Sequence, residues 1–274
     1  MLKVAYISDL HLEFIARNND VKWARIVDIK DIAQMFCDAL KAVEYDIVVI
    51  AGDISHSPFT VDLFLSYVDE LVEKPVYFCL GNHDYWNWEH SIGYKDTQFD
   101  PHGKSGYKLS PDTIYGVEGF FETRKYKNIK FLMAGKACTE QSTTIIGDCG
   151  FCGYNPKFNC THGIYRDILR NPEKERELTL RWKNFFKHVL DNKKDGENLL
   201  VITHTPPTDW GWNKSTEVNG VFHIFGHVHD HHHHEVQQYT ITAPNGEYGA
   251  FGDAANGYRK IDFEFKTLTI NEML

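Results

Sequence analysis

Leu2-Lys3-Val4-Ala5-Tyr6-Ile7-Ser8-Asp9-Leu10-His11 sets the pattern of the whole chain: a short apolar, β-prone run that stops on two residues able to bind a metal. A strand sends successive side chains to opposite faces, so Asp9 and His11, two positions apart, leave the strand end in the same direction. The same ending recurs. Ile47 to Ile50 runs into Gly52-Asp53, and Val76 to Leu80 into Gly81-Asn82-His83-Asp84. Leu199 to Ile202 runs into Thr203-His204, and Val221 to Phe225 into Gly226-His227-Val228-His229. His227 and His229 repeat the two-residue spacing. Delivered to one sheet edge, two Asp, one Asn and four His from among these endings are what a two-metal hydrolytic centre requires.

The segments between the endings alternate in kind. Ile29, Ile32, Phe36, Leu40 and Val43 form one helical stripe around Asp31 to Val43. A second helix is expected from Pro58 to Glu73, with Pro58 in its first turn and Val61, Phe64, Val68 and Leu71 on its inner face. This β-α-β-α-β opening implies parallel strands joined by helical crossovers. From Trp86 to Asn128 no period holds, and the stretch reads as a cap-like insertion beside the site, too long for an ordinary connection. Strands at Ile129 to Ala134 and Thr143 to Ile146 suggest a second sheet. Glu173 to Asn192 reads as an amphipathic helix with Leu178, Trp182, Phe185, Phe186 and Val189 inward. The tail alternates in Tyr239 to Ala243, Arg259 to Phe265 and Thr267 to Ile270, which predicts antiparallel strands. No linker divides the chain, so residues 1–274 are expected to form one domain with the insertion at about 86–128.

Composition narrows the class. The chain has 274 residues, 42% of them hydrophobic, enough for a full core. Its 38 acidic residues against 29 basic ones give a net charge of -9, which speaks against gripping extended nucleic acid through a basic face. No apolar run is long enough to span a bilayer, and Met1 to Asp9 enters a strand with no signal-like stretch. A cytoplasmic protein without membrane partners is expected. Oligomeric state is not legible.

Six cysteines and a histidine run carry weaker signals. Cys37 and Cys79 lie in periodic apolar segments and read as buried thiols. Cys149-x-x-Cys152 with Cys160-x-His162 has the ligand types of a structural zinc site, but its spacing is loose and its glycines are also turn chemistry; reduced thiols are the expectation. His231 to His234 reads as a solvated hairpin tip. Tyr85, Trp86 and Trp88 are expected to pack inside the lid rather than stack on substrate. Tyr154, Asn155, Trp210 and Trp212 are candidates to line the pocket.

The five blocks in this order, Asp-x-His, Gly-Asp, Gly-Asn-His-Asp, Thr-His and Gly-His-x-His, closely resemble the signature of the calcineurin-like metallophosphoesterases, over Asp9 to His229. The resemblance implies an α/β fold, a four-layer αββα sandwich with two central mixed β-sheets. It implies two divalent metal ions, manganese ahead of iron, zinc, nickel or cobalt. Asp9, His11 and His229 would bind one ion, Asn82, His204 and His227 the other, and Asp53 would bridge them. His83 would face the substrate and donate a proton, with Asp84 orienting it. The implied activity is hydrolysis of a phosphomonoester or phosphodiester by a metal-bound hydroxide. Expected substrates are a phosphorylated small molecule, a nucleotide or a phosphoprotein. The alternative is a non-catalytic interaction scaffold on the same fold, which the intact donor set disfavours. In purple acid phosphatases a tyrosine stands three residues after the Gly-Asp aspartate; here that position is His56, which disfavours that subfamily.

Overall fold

The structure is a computed structural model, and it describes residues 1–12, 28–55, 57–85, 113–151, 172–207, 210, 218–227 and 263–271. Nine strands are described: β1 (Leu2–Ile7), β2 (Ile47–Ala51), β3 (Val76–Cys79), β4 (Ile129–Phe131), β5 (Ala137–Glu140), β6 (Thr143–Asp148), β7 (Asn198–Thr203), β8 (Val221–Ile224) and β9 (Lys266–Ile270). The described helices are α1 (Ile29–Leu40), α2 (Pro58–Leu71), α3 (Thr113–Thr123) and α4 (Pro172–Asp191), with a 3-10 turn at His83–Tyr85. The strands form two mixed sheets, one in the order β4-β3-β2-β1-β9 and one in the order β5-β6-β7-β8. Among the described strands, only β9 in the first sheet and β5 in the second run antiparallel to their neighbours.

Strands β1, β2, β3, β7 and β8 lack polar alternation because both of their faces are covered, whereas β9 turns Thr267 and Thr269 outward. The period of two survives in where each residue points. Val48 and Ile50 of β2 and Val76 and Phe78 of β3 face the core shared with Phe36 of α1, Phe64 of α2 and Phe121 of α3. Ile47, Val49, Tyr77 and Cys79 face the other way, against Ile145, Leu200, Ile202 and Ile224 of the second sheet. Leu199, Val201 and Val221 then turn outward onto Trp182 and Phe186 of α4. Helices, sheet, sheet and helix thus stack as the expected αββα sandwich.

Local chemistry sets the helix starts. Asp28 caps α1, its carboxylate accepting the Lys30 N–H at 3.2 Å. Pro58 opens α2, where its missing N–H costs nothing.

Four expectations change. Ile129–Phe131 belongs to the first sheet, beside β3, and not to the second. The second sheet instead gains β5, whose half-exposed Ala-Cys-Thr-Glu carries too little apolar signal to announce a strand. Thr113–Thr123, within the stretch read as aperiodic, is a helix with Val117, Phe120 and Phe121 buried in the main core. Its two glycines, Gly116 and Gly119, hide the period, and residues 86–112 of that stretch lie outside the described residues. Leu71, expected on the inner face of α2, is the last residue of that helix and is 45% exposed.

Among the tail strands, Lys266–Ile270 pairs antiparallel with β1, Leu2 opposite Ile270. The strand expected at Tyr239 to Ala243 falls outside the described residues, as do residues 259–262 of the next one; Phe263 and Phe265 are buried but not in a strand. Among the described residues no helix is long and apolar enough to cross a membrane.

Candidate metal centre

Parallel strands end together, so the loops after β1, β2 and β3 share an edge, and so do those after β7 and β8. The two edges meet at Asp53 and His204, whose Oδ2 and Nε2 lie 3.1 Å apart. The backbone ladder carries on past the strands: Asp9 N donates to Gly52 O at 3.0 Å and His11 N to Asp53 O at 3.0 Å. Gly226 N in turn donates to His204 O at 3.0 Å. Ligand-bearing loops are therefore held to each other by main chain before any side chain acts.

The backbone is strained where the donors sit. Asp9, His11, Asp53 and His227 all have left-handed φ, between 46° and 72°. Non-glycine residues seldom adopt this region, and it gathers where function fixes the geometry. Two glycines make room. A Cβ on Gly81 would stand 2.1 Å from Asp53 Oδ1, and one on Gly226 would stand 2.6 Å from Asp9 Oδ2.

Among the described residues, two groups of donors form around one carboxylate. His11, Asp53 and His83 offer atoms within 4.8 Å of one another, and so do Asp53, His204 and His227. His11 Nε2 and His83 Nε2 each lie 3.9 Å from Asp53 Oδ2. On the other side, His204 Nε2 lies 3.0 Å from Asn82 Oδ1 and 3.2 Å from His227 Nδ1. His11, Asp53 and His204 are buried, whereas the His83 side chain keeps 17% of its surface exposed.

The donor chemistry fits a cation. His204 Nδ1 lies 2.9 Å from the Ala51 carbonyl, which can only accept, so Nδ1 carries a proton. In neutral imidazole, Nε2 then presents a lone pair to the Asp53 carboxylate and the Asn82 carbonyl. Three acceptors facing one another need a proton or a metal ion between them. With a proton there, burial lowers the pKa of His204, but the Asp53 and Asp9 carboxylates outweigh it and lift it to about 9. Asp53 shows the reciprocal effect: burial raises its carboxyl, and the neighbouring His204, His83 and His11 hold it well below the ordinary range.

Other expected site residues take different places. Asp9 accepts the His227 N–H on both oxygens, each at 3.2 Å, and belongs to neither three-residue group. Asp84 is buried behind the site. Its Oδ1 accepts the N–H groups of Ile54 and Ser55, both at 2.9 Å, and its Oδ2 that of Gly81 at 2.7 Å. These bonds tie the Asp53 loop to the Asn82 turn, a staple between loops where orientation of the His83 ring was expected. Burial, then the Asp53 charge, pushes the Asp84 carboxyl up to about 8, against the pull of those N–H donors.

Trp210 does not line a pocket; it is 2% exposed, packed edge-on to Trp182 with ring centroids 5.7 Å apart. Tyr85, expected to pack inside the lid, packs in the main core instead. Cys149 is a buried free thiol. His229, His56, Cys152, Cys160, His162, Trp86, Trp88, Tyr154, Asn155, Trp212 and His231 to His234 lie outside the described residues.

Sequence reading missed three charged residues behind the centre: Glu118 of α3, Asp148 at the end of β6 and Arg181 of α4. Glu118 and Asp148 are 3% and 2% exposed. The signal was present for Arg181, which falls on the same stripe as Leu178, Trp182 and Phe185. A charge on an apolar stripe must find a buried partner.

A sandwich of this kind, with histidine and aspartate donors meeting at its strand ends, has the build of a metal-dependent hydrolase. The family model of the calcineurin-like phosphoesterases matches residues 2–231, and the chain belongs to that family. No curated protein matches the chain. Among solved structures it is similar to the phosphopantetheinyl hydrolase PptH of Mycobacterium tuberculosis, with a TM-score of 0.55 and 14% identity over 98% of this chain and 96% of that one. It is also similar to the NAD nucleotidase NadN of Haemophilus influenzae, with a TM-score of 0.40 and 14% identity over 83% of this chain and 43% of that one. At these identities the first likeness bears on the fold alone, and the second is too loose to carry an argument.

Proposed function

We propose that this chain is a dinuclear metal-dependent phosphoesterase, cleaving a phosphomonoester or phosphodiester. The observation that carries the reading is that Asp53 is common to both donor groups. Two cations held close together need an anion between them, and a buried carboxylate with imidazoles on both sides supplies it. His11 with Asp9 and His229 would complete one ion's shell. Asn82, His204 and His227 would complete the other's. Manganese is the first metal to try, with iron, zinc, nickel and cobalt as alternatives. Bound there, the pair would activate water and neutralise phosphoryl charge.

The rest of the chemistry falls to the chain's own residues. His83 is the more exposed member of its group and sits edge-on to His11, ring centroids 4.5 Å apart. That exposure supports a role for its imidazole as the donor of a proton to a leaving oxygen. Its position is set from the main chain, because His83 N donates to Asp53 Oδ1 at 2.8 Å. His204 is kept in one tautomer by Ala51 O. Asp84 fixes the spacing between the Asp53 loop and the Asn82 turn. A net charge of -9 favours a compact phosphorylated substrate, such as a small phosphoester, a nucleotide or a phosphoprotein side chain, over extended nucleic acid.

The test is metal add-back. The protein is stripped with chelator and assayed with Mn2+ on a chromogenic monoester and a chromogenic diester. Mn2+-dependent release from at least one, abolished by Asp53→Ala, is the expected result. Flat traces with every metal would overturn it and leave the non-catalytic scaffold.

A further inference from the structure

We propose that Arg181, clasped by Glu118 and Asp148, is a positioning residue for the His204 side of the metal centre; the inference rests on the dinuclear reading above. Arg181 approaches Glu118 with both ends of its fork, Nη1 to Oε2 at 2.9 Å and Nη2 to Oε1 at 2.6 Å. The same Nη2 reaches Asp148 Oδ2 at 3.4 Å. One guanidinium thus joins α3, α4 and the end of β6.

Asp148 passes this anchoring forward. Its Oδ2 accepts the Ala134 N–H at 2.9 Å and its Oδ1 the Gly150 N–H at 3.3 Å, which bends the chain just after β6. At that bend the Cys149 carbonyl accepts two N–H groups, from His204 at 3.2 Å and from Thr205 at 3.0 Å. The fit is tight: a Cβ on Gly150 would lie 2.7 Å from Thr205 Oγ1 and 3.0 Å from Thr203 Cβ. Helix α4 also touches the bend through the Thr179 hydroxyl, whose one proton is shared between Phe151 O at 2.9 Å and Glu175 O of its own helix at 2.8 Å. The path from Arg181 to the metal donor is therefore Asp148, the 149–150 bend, and the His204 main chain. No member of it except His204 belongs to the five-block signature.

The forked geometry is what the arrangement needs. Two buried carboxylates on different elements must be neutralised by one cation without being drawn out of place. A guanidinium spans both from a fixed plane, whereas an ammonium is a single point charge. Lysine would keep the charge and lose the spacing. Methionine would lose both.

The experiment compares the wild-type chain with Arg181→Lys and Arg181→Met. Each is stripped with chelator and titrated with Mn2+ by calorimetry, and each is melted in chelator and in saturating Mn2+. Partners that orient metal ligands typically govern affinity over about 10- to 100-fold. The expected result is Mn2+ binding weakened about 10-fold in Arg181→Met and at least about 3-fold in Arg181→Lys. The gap between loaded and stripped melting temperatures narrows accordingly, because bound ligand stabilises the folded state in proportion to its affinity. A residue that merely joined helices would lower both melting temperatures equally and leave the titration unchanged. That outcome overturns the inference, and Arg181→Lys decides alone if Arg181→Met does not fold. If the wild-type chain takes up no Mn2+, the titrations are repeated with Fe2+, Zn2+, Ni2+ and Co2+, and a wild-type chain that takes up none of them overturns the metal centre and the inference together; normal wild-type uptake with unchanged variants overturns the inference alone.

Discussion

His83 hangs from Asp53: its main-chain N–H donates to Asp53 Oδ1 at 2.8 Å while its ring Nε2 stands 3.9 Å from Oδ2 of the same carboxylate. The residue proposed to bridge the ions also sets where the proposed proton donor sits. Asn in place of Asp53 keeps an acceptor for the His83 N–H and loses the charge; Ala loses both. Both variants should lose metal-stimulated hydrolysis by more than about 1000-fold. In chelator, Asp53→Ala should unfold about 1–3 kcal/mol earlier than Asp53→Asn in urea titrations, from the unanchored N–H. Equal stability of the two would separate His83 from Asp53.

Gly81 admits no side chain. With its Cβ position 2.1 Å from Asp53 Oδ1, Gly81→Ala must displace the carboxylate or the turn. The expected outcome is a folded protein whose Mn2+ uptake, read by calorimetry, falls by at least about 10-fold. Wild-type uptake would show that the turn yields freely.

Asp84 accepts three backbone N–H groups, and an amide has one oxygen to offer them. Asp84→Asn should cost about 2–3 kcal/mol of stability, read by chemical unfolding in chelator. If Asp84 instead governed the His83 ring, its substitution would shift the pH–rate profile and spare stability.

His223 of β8 predicts an acid-sensitive fold. Burial among Phe186 and Trp210 lowers its pKa from 6.5 to about 3. Above about 6.5 it is neutral in both folded and unfolded chains and has no effect. As the pH falls below that value the unfolded chain takes the proton and the folded chain does not, so stability drops by up to about 1.4 kcal/mol per pH unit until about 3. His223→Phe should flatten this acid limb by close to one proton in urea titrations run across that range. An unchanged slope would show that His223 is protonated in the fold.

The fold and the donors were legible to different degrees, for physical reasons. Strands β1, β2, β3, β7 and β8 announced themselves because strands buried on both faces are unbroken apolar runs, and each stops at a donor. Convergence of Asp53 with His204 and His227 followed from parallel strands ending together. Strand β5 was silent because an edge strand half open to solvent needs no apolar side. Helix α3 was hidden by Gly116 and Gly119, which tertiary packing around Phe120 and Phe121 overrides. The staple at Asp84 could not be read, since a carboxylate's choice between a ring and three main-chain N–H groups depends on distances that spacing does not encode. Arg181 was readable in principle as a charge on an apolar stripe; its partner Glu118 was not, because helix α3 itself was not.

The antiparallel pairing of β9 with β1 has a consequence for how the protein is made. Leu2 leaves the ribosome first among these partners, and Ile270 follows only after every described donor has emerged. Until then the strand bearing Asp9 and His11 has one flank open. A nascent chain long enough to contain His227 still lacks the strand that flanks Leu2–Ile7 on that side, so loading of the proposed metal centre should await translation of β9.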